Sequence, residues 1–372
     1  MNAKIVRHLN IPEEFPAPEV DTVFQIDRKA WRNGMIVRMP NHLGDAIMAI
    51  PALAGLRSIL PQDHGLVVIA PANQKSLYAT LPGIVDDVIV LDDIHSFWSI
   101  ATLTTIRQYR MGVGVLFNNS FRDALSMKLA GVPRLYGYSA RCRSILMAGT
   151  LFLPRHKRTE EAHIHQANLY YSIARAFGAK KWDGIMPELA LDKITCTISN
   201  EVKDIASAGN KLLIIASGAA YGAAKRYPTE YYNKIAAYWL RHDGKVAVVG
   251  SKSEAASGSE VISGLPKDSA FNLCGKTADL GELIYLISQA GFVVANDSGT
   301  MHLGAALDKK GITVFGPTDP TSTSPIAKNW SLIISGAGCR PCLRRTCPLH
   351  TDLCMKSVKP LTVIRELRRI SK

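Results

Sequence analysis

Gly291 to Leu307 reads GFVVANDSGTMHLGAAL. The β-branched and aromatic run Phe292-Val293-Val294 predicts a buried parallel strand. A helical pattern follows, with Met301, Leu303, Ala306 and Leu307 as its apolar positions. Between them, Asp297 and Ser298 are suited to cap the helix, and Gly299 lets backbone approach a bound group. A strand that ends in such a turn and opens a helix presents unpaired N–H groups and a positive dipole end, which together favour an anion. With nothing bound, the same turn is an ordinary capped strand–helix junction. Its neighbours along the chain decide between the two readings.

Working outward, the same alternation recurs on both sides. Strands are predicted at Leu212–Ala216, Lys245–Gly250, Gly291–Ala295 and Gly311–Phe315, with helices at Thr229–Arg241, Glu254–Gly264, Leu280–Gln289 and Thr300–Leu307. An earlier series has strands at Met35–Met39, Leu66–Ala70, Asp87–Leu91 and Val113–Phe117. Its helices run through Ile47–Leu56, Gln74–Leu81, Ser96–Tyr109 and Phe121–Ala130, and a further helix is expected over Glu161–Phe177. Alternating strand and helix means a parallel sheet covered on both faces. The fold class is therefore α/β: two doubly wound, Rossmann-like domains facing an interdomain cleft, where ligands bind at the C-terminal strand edges. The division expected is an N-terminal extension over 1–34, a first domain over 35–200 and a second over 201–372. The second ends in a Cys-rich hairpin (339–354) and a helix from Leu361 to about Ile370, which is long enough to cross back to the first domain.

Composition narrows the function. The net charge of +13 calls for an anionic partner, and no zinc finger or RNP motif is present, so nucleic acid is excluded. The Rossmann G-x-G-x-x-G and the P-loop are both absent, which removes the main support for nicotinamide chemistry and NTP hydrolysis. The N-terminus has no apolar secretory core and no apolar run reaches the roughly 20 residues that span a bilayer, so a cytoplasmic protein is expected. Of seven cysteines, Cys339, Cys342, Cys347 and Cys354 crowd into C-x2-C-x4-C-x6-C. Reduced thiols or a conditional disulfide are the first expectation, and a structural metal site is the alternative.

Three stretches follow predicted strands and can face one cleft. Asp45 opens the first helix, where the dipole keeps its carboxylate ionised and able to take a proton from a hydroxyl. Ser217-Gly218 leads into a loop of small residues ending in Lys225, which can neutralise a diphosphate as a point charge. Asp297–His302 supplies the anion-binding turn, with His302 one turn into its helix. Each taken alone reads equally as a cap, a solvated lysine or a core histidine. Together they are what transfer from a nucleotide-diphosphate donor needs: a stabilised leaving group and a base for the acceptor hydroxyl.

At these residues a family becomes recognisable. LGDAIMAIPALAGLRSILP (Leu43–Pro61), NNSFRDALSMKLAGVPRLYGY (Asn118–Tyr138), GAAYGAAKRYP (Gly218–Pro228) and NDSGTMHLGAAL with VFGPTDP (Val314–Pro320) occur in that order. The chain resembles the ADP-heptose:lipopolysaccharide heptosyltransferases, inverting enzymes of GT-B architecture (glycosyltransferase family 9). It looks most like the heptosyltransferase II branch, which adds the second heptose of the inner core.

The resemblance implies Asp45 as general base. It implies donor contacts from Ser217, Gly218, Lys225, Glu254, Asp297, Ser298, Gly299, Thr300 and His302, with Glu254 accepting from the ribose hydroxyls. No cofactor or catalytic metal is implied. The donor would be ADP-heptose and the acceptor a lipid A-core glycolipid, met by an enzyme peripherally associated with the inner leaflet of the inner membrane.

The basic segment Arg134–Arg158 fits such an acceptor, and Arg122, Arg141 and Arg143 are its candidate contacts. Neither residues 1–34 nor the cysteine cluster is expected to touch the site motifs. Three alternatives stay open: a relative with another nucleotide-sugar or acceptor, a nucleotide-sugar epimerase, and a non-catalytic glycolipid-binding protein.

Overall fold

The computed structural model describes residues 3–7, 15, 17–20, 23–24, 26–152, 164–219 and 222–372. The chain divides into two units, Pro12–Thr195 and Cys196–Lys372, the second joined by Met1–Ile11. Its strands are β1 (Lys4–Arg7), β2 (Gly34–Arg38), β3 (Gly65–Pro71), β4 (Asp87–Leu91), β5 (Val113–Leu116), β6 (Arg134–Tyr138) and β7 (Gly149–Leu151). They continue with β8 (Leu212–Ala216), β9 (Lys245–Val248), β10 (Ala270–Asn272), β11 (Phe292–Asn296), β12 (Lys310–Phe315) and β13 (Trp330–Ile334).

The N-terminal unit holds a six-stranded parallel sheet of order β4-β3-β2-β5-β6-β7. β2 lies mid-sheet and is buried along its whole length, as its apolar run requires. It ends in Arg38, which is fully buried and paired with Asp123 at 2.7 Å. Arg38 also donates to the Met39 carbonyl (2.6 Å) and to Asn41 Oδ1 (2.6 Å), while Gln74 Nε2 donates to the Asn41 carbonyl (2.9 Å). A buried guanidinium is tolerated only when its donors are satisfied, so this network fixes the loop that leads into Asp45.

The segment expected to be a uniformly basic surface is structured otherwise. Arg134–Tyr138 is strand β6, and Leu135, Tyr136 and Tyr138 are core residues. Arg155, Lys157 and Arg158 lie outside the described residues, as do Glu161–His163 at the expected start of the following helix. The helix itself runs Gln166–Ala176.

The C-terminal unit holds a seven-stranded sheet of order β1-β13-β12-β11-β8-β9-β10. It is parallel throughout except for β1, which pairs antiparallel with β13 from Lys4↔Ile334 to Arg7↔Ser331. Within the expected extension 1–34, Lys4–Arg7 thus forms an edge strand of the C-terminal unit, to which that stretch belongs. The docking has a charged clasp. Glu366 accepts from Arg7 Nε (2.9 Å) and Nη2 (2.8 Å), and this pairing draws its pKa down to about 2.

The final helix, Pro360–Ile370, buries Val363 and Leu367 in the C-terminal unit's own core, beside Val358, Ile312 and Ile333. Among the described residues no helix is long and apolar enough to cross a membrane.

Candidate active site

In the C-terminal unit, candidate residues gather where β8 and β11 end side by side, Ala216 opposite Ala295. Asn296, the last residue of β11, is fully buried and uses both ends of its amide. Its Nδ2 donates to the carbonyls of Ser217 (2.7 Å) and Gly218 (3.1 Å), while Oδ1 accepts from the Tyr227 N–H (3.1 Å) and the Tyr232 hydroxyl (2.9 Å). One side chain therefore holds together the Ser217–Gly218 turn, the loop after Lys225 and the mouth of β11. Read in sequence, Asn296 is only a turn-former, since its partners lie 64 to 79 residues away.

Asp297 does not cap the helix that follows. Its Oδ2 accepts from Lys225 Nζ at 2.7 Å, from Thr318 Oγ1 at 2.8 Å and from Thr323 Oγ1 at 3.3 Å. Lys225 and Asp297 are both buried, so the two residues singled out separately in the sequence form one neutralised pair. The helix Gly299–Ala306 is capped instead at Ser298, whose side chain makes no capping bond. The Oγ atoms of Ser217 and Ser298 are buried without a hydrogen-bond partner among the described residues. Buried hydroxyls of this kind cost about 1–3 kcal/mol each when left unpaired, so they call for a partner such as an ordered water or a bound group. Gly299 and Thr300 form the first turn, whose N–H groups have no acceptor within the helix.

His302 is buried in the same helix. Burial and the Lys225 ammonium lower its pKa to about 4, against the opposing pull of Asp297. The imidazole is thus neutral at physiological pH and offers a hydrogen bond, not a charge. In the unfolded chain it titrates near its ordinary 6.5, so the unfolded state binds more protons between the two values. Its share of stability is complete above about pH 6.5 and is lost as pH falls through about 4. His302→Gln is therefore expected to flatten the stability–pH curve between those limits, measured by urea unfolding across the range.

Glu254 lies at the turn after β9. Its Oε2 accepts from the Ser251 N–H (2.7 Å) and hydroxyl (2.8 Å), closing a capping box. The carboxylate rests on Gly218, where an added Cβ would stand 1.8 Å from Oε1. Gly218→Ala is expected to push this flexible side-chain end aside. The fold should stay intact while ADP binds about five- to tenfold more weakly, equivalent to one lost hydrogen bond, as titration calorimetry would read.

The cysteine segment meets the site, contrary to expectation. The backbone N–H of Ala224, next to Lys225, donates to the Arg345 carbonyl at 3.0 Å, and Gly222 abuts Arg345. Arg340 donates to the carbonyls of Gly316 (3.0 Å) and Thr318 (2.9 Å), the latter an Asp297 partner. The segment is also not a hairpin. Gly336, Gly338, Pro341 and Pro348 interrupt it, and 335–352 forms no strand. All seven cysteines are free thiols. Cys354 is buried, and burial with the three neighbouring thiols pushes it up to about 11. Among the described residues no three His, Cys, Asp or Glu side chains form a group that could hold a metal.

The N-terminal unit carries Asp45 in the first turn of the helix Leu43–Met48, half-buried. Tyr170 of the helix Gln166–Ala176 is close enough that the Asp45 carboxylate, added to full burial, raises its phenol pKa. The three arginines proposed for the acceptor differ. Arg143 is fully buried and donates to the carbonyls of Tyr138 (2.6 and 2.9 Å) and Asn118 and to Asn119 Oδ1 (3.2 Å), so it braces β6 against the loop after β5 and presents nothing to a ligand. Arg122 donates to the carbonyls of Ile94 (2.6 Å) and His95 and leaves only part of its side chain in solvent. Arg141 is exposed.

Comparison with known proteins accounts for this arrangement. The chain is 25% identical to lipooligosaccharide heptosyltransferase 2 of Campylobacter jejuni serotype O:6 over 341 residues, covering 91% of this chain and 99% of that protein. It is 26% identical to lipopolysaccharide heptosyltransferase 2 of Escherichia coli K12 over 313 residues, covering 79% and 85%. Among solved structures, E. coli ADP-heptose lps heptosyltransferase II superposes with a TM-score of 0.72 at 23% identity, covering 91% of this chain and 98% of that one. That likeness assigns the GT-B fold. The family model for glycosyltransferase family 9 (heptosyltransferase) matches residues 100–352, and the chain belongs to that family of enzymes.

Proposed function

We propose that this glycosyltransferase moves a heptosyl group from ADP-heptose to the inner core of lipopolysaccharide, adding the second heptose with inversion at the anomeric carbon. The observation that carries the reading is the turn that opens the helix Gly299–Ala306, where Lys225 is held on Asp297 and the hydroxyls of Ser298 and of Ser217, whose carbonyl is bound by Asn296, are buried. Donors of that kind, fixed by Asn296 and Asp297, suit the charge that develops on a departing diphosphate. The names of the relatives, heptosyltransferases 2 that share about a quarter of their residues with this chain, support the substrate assignment.

Asp45 takes the proton of the acceptor hydroxyl, whose oxygen attacks the anomeric carbon as the bond to ADP breaks. The negative charge passes to ADP and is met by Lys225 and the helix N-terminus. Glu254 accepts from the ribose hydroxyls, and His302 donates a neutral hydrogen bond near the leaving oxygen. Arg141, with Arg122 in part, contacts the anionic acceptor; Arg143 is left out because it is enclosed. No metal is required. The acceptor is a glycolipid of the inner leaflet, so the enzyme works at the cytoplasmic face of the inner membrane.

The test is a donor panel against a purified core glycolipid carrying one heptose, read by mass spectrometry. ADP-heptose should yield an acceptor heavier by one heptose, and UDP- and GDP-sugars should yield none. Efficient transfer from one of those sugars, with ADP-heptose inert, would replace the donor.

A further inference from the structure

The segment after β12, residues 316–324, reads GPTDPTSTS and has no ligand assigned to it above. It carries hydroxyls at Thr318, Thr321, Ser322, Thr323 and Ser324, and Pro320–Thr323 forms a single helical turn. Its backbone is tied down. Arg340 holds the carbonyls of Gly316 and Thr318, Asp319 Oδ1 accepts from the Thr321 N–H (3.0 Å), and the Ser324 N–H closes on the Pro320 carbonyl (2.8 Å). Hydroxyls on a backbone fixed in this way are in place before a ligand arrives, which limits the ordering cost of binding it. Two of them are not spent on the fold. Thr321 Oγ1 is buried without a hydrogen-bond partner among the described residues. Thr323, half-buried, is the most distant of the three donors on Asp297 Oδ2, at 3.3 Å against 2.7 Å for Lys225 and 2.8 Å for Thr318. A bond of that length is the weakest of the three and the first to be exchanged for a shorter one to a ligand.

Strand order explains what these hydroxyls would meet. β9, β8, β11 and β12 are consecutive neighbours and all run parallel, so the segments that follow them lie side by side along one edge of the sheet. Glu254 follows β9, Ser217 and Lys225 follow β8, Ser298 follows β11, and Thr321 and Thr323 follow β12. With the ribose at Glu254 and the diphosphate at the next two segments, a donor laid along this edge brings its remaining part, the sugar, to the segment after β12. Sugar hydroxyls both donate and accept, and threonine hydroxyls beside the Asp297 carboxylate offer both roles.

We propose that Thr321 and Thr323 are specificity-determining residues that hydrogen-bond the sugar of the nucleotide-sugar donor. The assignment rests on the reading of this edge as the ADP-heptose site, and it concerns the sugar alone.

Titration calorimetry of the full chain with ADP and with ADP-heptose, in the absence of acceptor, separates the sugar from the nucleotide. Thr321→Val and Thr323→Val each remove one hydroxyl. Each variant should bind ADP-heptose about five- to tenfold more weakly, the effect of one lost hydrogen bond, and should bind ADP as wild type does. Thr323→Ser, which keeps the hydroxyl, should restore ADP-heptose binding. Thr321→Val removes a buried hydroxyl that the fold does not use, so its melting temperature should not fall, as it would if the residue served the fold alone. Equal losses for ADP and ADP-heptose would overturn the proposal, because the threonines would then act through Asp297 and Lys225. So would ADP-heptose affinity unchanged in the two variants. Failure of the donor reading shows separately, as wild-type protein that binds ADP but not ADP-heptose.

Discussion

Asp45→Asn is expected to lower kcat by about 10²- to 10⁴-fold, the range a positioned general base contributes. ADP-heptose affinity should barely change, because Asp45 belongs to the N-terminal unit and the proposed donor contacts to the C-terminal one. Asparagine keeps the size and the helix-start position while removing the proton acceptor. The loop before it is fixed by buried Arg38 through Met39 and Asn41, so the variant should fold normally. Single-turnover transfer with saturating donor separates this from a binding defect. Wild-type kcat in the variant would remove Asp45 from the base role.

Lys225→Met is expected to act twice. Loss of a charge-assisted contact should weaken ADP-heptose binding by about 1.5–3 kcal/mol. It also strands the Asp297 carboxylate in a buried position, and breaking a buried pair from one side costs about 3–5 kcal/mol of stability. The two effects can be separated with Lys225→Met combined with Asp297→Asn, which removes the stranded charge. The double variant should regain most of the lost stability in urea unfolding and none of the donor affinity in calorimetry. Full donor affinity in the double variant would mean that Lys225 acts only as the counter-ion of Asp297.

Much of this architecture is legible in the chain, and the parts that are not share a physical cause. The strand–turn–helix from Phe292 to Ala306 can be read directly, because a β-branched run, a cap and a helical period lie within one stretch. β1 cannot. Lys4–Arg7 is four residues with charge at both ends, and what makes it a strand is β13, more than 300 residues further on. β6 is masked by the arginines around it, since composition over a long segment hides the buried positions Leu135, Tyr136 and Tyr138. β13 is only five residues, Trp330–Ile334, with Ser331 among its apolar positions, too short to show a period.

In the site, residue types are legible and pairings are not. Lys225 and Asp297 stand out individually as a phosphate contact and a cap, yet they are joined across 72 residues. Arg143 shows the reverse failure. An arginine in a basic stretch reads as a surface contact, and only its three internal acceptors, on Tyr138, Asn118 and Asn119, reveal a buried brace. Asn296 and the Arg340–Arg345 stretch go unnoticed in the sequence because they hold other residues in place. Roles of that kind leave no local signature.

The most direct measurement is ADP release from ADP-heptose by the purified chain, with and without a core glycolipid carrying one heptose. Release that depends on the acceptor, with one heptose gained per ADP, is the result expected if the C-terminal unit stabilises the diphosphate and Asp45 activates the acceptor. Equal release in the absence of acceptor would contradict it, since the donor would then be hydrolysed or isomerised and no acceptor hydroxyl would need a base.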